Sequence, residues 1–165
     1  MLVAQADLLA YLKANVPPQI TAVNAIGVLT IPLLQDMATY ADAPLLSQPE
    51  TPALYVIPAA TGYRGTQWDA NLDEQHGFDI GIEVGDQDEH NAMQALLGYT
   101  QAVLNAIGLW TRHLATMTHG QQVMYGSPVP NAEDVVRYQT VAVVAPVPFY
   151  SQAVLPVTVF QSEVP

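Results

Sequence analysis

Four residues that could share a metal ion or a proton stand almost side by side, Asp86, Asp88, Glu89 and His90, and His76, His113 and His119 add three more imidazoles. Calcium is held by oxygen ligands spread along a loop, with a glycine at the sharp turn and a distal bidentate acid. The run DQDEH lacks that spacing. No HxH or HExxH pattern unites the histidines, so the zinc chemistry such patterns support has no anchor here. The acids have a simpler use. Asp86 reads as a helix N-cap with Glu89 three residues on, and Asp88 adds negative charge where the helix dipole favours it. His76 and His119 each precede a glycine in turn-like sequence.

Nucleophilic chemistry has as little support. The chain has no cysteine, which removes thiolate nucleophiles, disulfides and cysteine-held metal sites. Ser47, Ser127, Ser151 and Ser162 read as loop or proline-adjacent positions, and no G-x-S-x-G elbow is present. Neither TGYRGTQ nor GLWTRHLATMTHG has the glycine-rich turn into a helix that cradles phosphate. Asp69, Asp73 and Glu74 could in principle pair for glycoside chemistry, but solvated loop acids account for them in a chain with one small α+β layer. Tyr63, Trp68 and Trp110 are candidate interface anchors, since Tyr and Trp are enriched at binding hot spots. Trp110, just past the expected long helix, fits the core equally well. No catalytic, cofactor-binding or metal-binding residue is assigned, and the chain is read as no enzyme.

Charge narrows the partners. Lys13, Arg64, Arg112 and Arg137 face fifteen acids, for a net charge of −11, and no two of the four are close in sequence. A protein that grips nucleic acid neutralises phosphates with clustered Lys and Arg, so sequence-reading DNA or RNA binding is disfavoured. The same balance disfavours anionic lipid. Only 12% of residues are charged, a sparing surface that expects neighbours. No hydrophobic stretch reaches a membrane span, and the opening MLVAQADLLAYLKANVPP, with Asp7 among its leucines and no basic leader, reads as that of a chain kept in the cytoplasm.

The elements that would position these residues amount to one domain over residues 1–165. Residues 3–15 predict an amphipathic helix on Leu8, Leu9 and Leu12, closed by Pro17-Pro18. A strand is expected near Ile20 to Val23, then a long loop over about 32–52 with a helical turn around Leu33 to Thr39. ALYVIPAA reads as a short strand, TGYRGTQ as a turn, Gln67 to Leu72 as a hairpin arm and Asn71 to Gly77 as the next turn. Phe78, Ile80, Ile82 and Val84 alternate with Asp79, Gly81 and Glu83, the pattern of a strand with one buried face. A helix over about 88–108 follows on Met93, Leu96, Thr100, Val103 and Ile107, with Gly108 as its exit. Three β-rich runs, 121–126, 134–150 and 153–162, end the chain, and Pro146, Pro148 and Pro156 mark the later ones as edge or bulged strands. This order predicts an α+β fold, a twisted mainly antiparallel sheet with two helices packed on one face.

The strand HGFDIGIEVGD, its switch into DEHNAMQALLGYTQAVLNAI and the terminal runs ending in PVTVFQS resemble the tail terminator proteins of long-tailed bacteriophages. The resemblance covers about residues 52–160. It implies a structural virion protein in the tail and neck region, assembled in the host cytoplasm as a homo-hexameric ring. Such a ring caps the tail tube, stops its polymerisation and joins the tail to the neck. Its partners would be its own copies, the tail tube protein, the neck or connector proteins and, where the tail contracts, the sheath. It implies no cofactor and no membrane. DNA would pass through without specific binding, with Asp69, Asp73, Glu74, Asp86, Asp88 and Glu89 as lumen or interface acids. The segment 32–52 and a β-rich extension at about 150–165 have no place in the family pattern. Other neck, head-completion or minor tail subunits share it, and a small ligand-binding domain or enzyme is the remaining alternative.

Overall fold

The elements in chain order are α1 (Leu2–Ile26), β1 (Thr39–Ala41), β2 (Ala53–Gly65), β3 (Leu72–Asp86), α2 (Glu89–His113), β4 (Gln121–Tyr125), β5 (Arg137–Val141) and β6 (Phe149–Gln161). They come from a computed structural model that describes residues 2–43, 50–65, 72–113, 121–125, 136–141 and 149–161. The six strands form one sheet in the order β1-β2-β3-β6-β4, with β5 also on β6. All pairings are antiparallel except β1 on β2, which is parallel. Phe78, Ile80, Ile82 and Val84 of β3, Leu54 and Val56 of β2, and Ala153, Leu155 and Val157 of β6 share one core with residues of both helices. The α+β fold with two helices on one face is as the sequence predicts.

The first helix is longer than predicted. Pro17 and Pro18 lie inside α1, which runs on to Ile26, so the strand expected at Ile20 to Val23 is helix. An interior proline costs about 3 kcal/mol through a lost hydrogen bond and a clash with the carbonyl four residues back. Burial outweighs it. Ala4, Leu8, Leu12, Val16 and Ile20, at four-residue spacing, and then Val23 are all buried, on both sides of the proline pair. Each large aliphatic side chain withdrawn from water contributes roughly 1.5–3 kcal/mol. A strict four-residue spacing also turns the stripe by roughly 40° per step on an ideal helix, so it winds around the axis. Gly27, at φ 69°, ends the helix, a left-handed position that favours glycine.

Segment 32–52 contains β1, and no helical turn is present at Leu33 to Thr39. Asn24 fixes the approach by holding both the amide and the carbonyl of Leu34, at 2.9 and 3.0 Å. Leu34 then seats against Gly98 of α2, where a Cβ would come within 2.7 Å of its Cδ1. From α1, Gln5 reaches under the sheet and donates to Asp42 O at 2.6 Å and Val56 O at 2.7 Å.

Both central strands outrun their sequence signals. The predicted turn TGYRGTQ is strand as far as Gly65, and the predicted turn at Asn71 to Gly77 is strand from Leu72 onward. The expected arm at Gln67 to Leu72 otherwise lies outside the described residues. Pro58 is tolerated because β1 pairs β2 only at Ala53 to Tyr55, and the register shifts between Pro58 and Ala60. β6 is an interior strand, not an edge. It pairs all along β3 on one side and carries β4 and β5 on the other. Pro156 falls between the stretches paired with β4 (Val157 to Gln161) and β5 (Tyr150 to Val154). The β-rich end is thus built into the sheet, while Pro146 and Pro148 lie outside the described residues.

Candidate functional site

The acidic corner is built by the turn from β3 into α2. Asp88, not Asp86, caps the helix: its Oδ1 accepts the Asn91 amide at 3.0 Å and its carbonyl accepts the Ala92 amide at 3.0 Å. Asp86 stands two residues earlier and accepts the Asp88 amide at 2.9 Å, holding the cap in place. A cap at Asp86 would need the helix to start at residue 87, and α2 starts at Glu89, which leaves Asp88 in the capping position. Asp88, Glu89 and His90 are exposed and Asp86 half-buried, so three carboxylates crowd the positive end of the α2 dipole, a favourable place for them. Among the described residues no three His, Asp or Glu side chains gather in a way that could hold a metal ion.

Asp73 and Glu74 are strand residues of β3, paired in register with Arg64 and Tyr63 of β2, not loop acids. They lie near the opposite end of β3 from Asp86, roughly 40 Å away at the usual rise per residue. The fold therefore does not unite the two acid groups. Asp69 and Trp68 lie outside the described residues. Tyr63 and Trp110 have their backbones in β2 and α2. His76 sits in β3, fully buried beside Phe78 with ring centroids 6.4 Å apart, and not in a turn. Ser151, read as a loop position, is fully buried in β6 opposite Val84. His119, Ser47, Ser127 and Ser162 lie outside the described residues.

Sequence reasoning missed a polar cluster on the sheet face turned away from the helices. The Tyr55 ring lies where a side chain on Gly81 would be, in the cross-strand pair Tyr55 and Gly81. Its hydroxyl donates to Glu83 Oε1 at 3.0 Å. Gln152 of β6 donates from Nε2 to the Tyr55 oxygen and, at 3.3 Å, to Glu83 Oε1. Burial pushes the Tyr55 phenol well above its ordinary range, and the Glu83 carboxylate pushes it the same way. A neutral phenol on a carboxylate makes a fixed, charge-assisted bond that ties three strands together. The alternation marks Gly81 as an outward position without a side chain between Asp79 and Glu83, but not the ring that fills it, which comes from another strand.

The class this defines is an α+β sheet with two helices packed on one face. No protein-family model matches the chain, and no curated protein matches it. Among the described residues no helix is long and apolar enough to cross a membrane.

Proposed function

We propose that this chain is a structural virion protein, a ring-forming tail terminator that caps the tail tube of a long-tailed bacteriophage, stops its growth and joins the tail to the neck. One observation carries the reading: β3 runs through the acidic corner straight into the capped helix α2, which lies back on the sheet. That strand, corner and helix are the unit on which the family resemblance rests. On this reading the chain acts through surfaces, with no cofactor and no catalytic step. One surface meets tube subunits, one the neck, and the flanks meet neighbouring copies. The corner acids Asp86, Asp88 and Glu89 face the channel, where negative charge keeps passing DNA from sticking.

Light scattering and negative-stain microscopy of the purified chain, alone and mixed with tail tubes, test this. A ring of about six subunits, or a monomer that forms a cap only on tube ends, is the expected result. A monomer indifferent to tubes overturns it.

A further inference from the structure

Beside the acidic corner lies a cavity of about 210 Å³, walled by the segment that follows α1, by the end of β3 and by the first turns of α2. Leu34, Val84 and Tyr99, all buried, line its depth, while Leu33 on the same lining is 68% exposed, so the cavity reaches the surface. Two contacts fix the wall that the segment forms. Asn24 bonds both backbone groups of Leu34, and the Tyr99 hydroxyl donates to Gln35 O at 3.0 Å. The space is therefore formed before anything enters it.

Among the described residues, Asp86 is the one charged side chain on this lining. It is half-buried and accepts the Asp88 amide at 2.9 Å, which leaves the carboxylate most of its acceptor positions. Asp88 and Glu89 follow within three residues and are exposed. The positive end of α2 offsets only about half a charge, so this end of the cavity is net negative.

We infer that the cavity receives an arginine side chain of a partner protein, with the aliphatic stem on Leu34, Val84 and Tyr99 and the guanidinium on Asp86. Size, polarity and charge each narrow the occupant. Small-molecule sites usually enclose about 300–1,000 Å³, and this smaller space suits a single side chain. A wholly apolar group would strip water from Asp86 and leave its charge unpaired, which is costly. A bare cation would leave the apolar walls wet, and among the described residues no three acids or histidines gather to hold a metal ion. A guanidinium on an aliphatic stem meets both demands, because it is weakly hydrated for a cation and bonds a carboxylate through two parallel N–H groups. The corner acids repel partners that present phosphate. A second copy would bring a net charge of −11 toward the same acids and is the poorer source. The inference goes beyond the terminator reading and does not need it, and it leaves Asp88 and Glu89 free to face a channel.

Amide NMR titration of the full chain with Nα-acetyl-arginine amide reads the site. Saturable shifts are expected at Val84, Gly85, Asn91 and Ala95, which line the cavity. Nα-acetyl-citrulline amide has the same shape without the charge and is expected to bind about tenfold more weakly. Asp86→Asn keeps an acceptor for the Asp88 amide but removes the charge, and is expected to cost about tenfold. Asp88→Asn still caps the helix and removes a charge that does not line the cavity, so a change below about twofold is expected. Ala95→Leu fills the space and is expected to abolish the shifts. No saturable shift at about 50 mM probe overturns the inference, as does citrulline binding equal to that of arginine. Equal losses from Asp86→Asn and Asp88→Asn overturn it too, because diffuse charge then accounts for the binding. Free L-arginine binding more tightly than the capped form would make this a free amino-acid site and overturn the docking of a partner.

Discussion

Tyr55 and Gly81 work as one unit, because the ring occupies the space a side chain at residue 81 would need. Gly81→Ala must push the ring aside and break its bond to Glu83, and overpacking of this kind costs about 1–3 kcal/mol. Urea unfolding should show that loss, and a much smaller one when the same change is made in a Tyr55→Ala background. Equal losses in both backgrounds would mean the ring and the glycine are not coupled. Tyr99 gives a pH dependence with a definite sign. Burial pushes its phenol up to about 12 from 10.0, the Asp36 carboxylate pushes it the same way, and its hydroxyl donates to Gln35 O at 3.0 Å. The unfolded chain ionises first, so the stability held by the neutral buried phenol is complete below about pH 10 and is lost as pH climbs toward 12. Tyr99→Phe should lower Tm at pH 8, by the loss of a hydrogen bond worth about 1 kcal/mol. It should also make Tm fall less steeply between pH 10 and 12. An unchanged alkaline slope would exclude Tyr99 as a source of that fall.

At the scale of elements, the corner between β3 and α2 separates two acids that look interchangeable in sequence. Asp88 caps the helix directly and Asp86 only holds the Asp88 amide, so Asp88→Ala should cost about 0.5–2 kcal/mol and Asp86→Ala less. Thermal melts of the two variants decide it, and the reverse order would return the cap to Asp86. The alternation in β3 and the helical stripe of α2 were legible because each follows one period within one element. The second half of α1 was not, because Pro17-Pro18 is a strong local stop signal that only the burial of Val16, Ile20 and Val23 overrides. Leu72 to Gly77 was hidden for a similar reason. Its polar residues suit a turn, yet β2 and β6 pair with it on both sides, and cross-strand hydrogen bonds leave no trace in a local window. Of the candidate site, the acids at the corner could be placed from sequence, whereas the Tyr55, Glu83 and Gln152 cluster could not. Its members come from three strands whose register only the folded sheet sets.

For the whole molecule, the charge distribution makes assembly and salt dependence inseparable. An association held by ion pairs weakens as salt is added, because screening removes the attraction. This chain carries fifteen acids against four basic residues, so copies brought together in the proposed ring repel. Salt should therefore act in the opposite direction. At an ionic strength of about 0.01 M the screening length is about 30 Å, long enough for acids outside the contact to repel across it. At about 0.1 M it falls to about 10 Å and much of that repulsion is gone. Removing about 1.4 kcal/mol of repulsion tightens association tenfold, so sedimentation or light scattering across this range should show a rising assembled fraction. A wild-type assembly that instead dissolves as salt rises would place the contact on Lys13, Arg64, Arg112 or Arg137 of one copy against acids of the next.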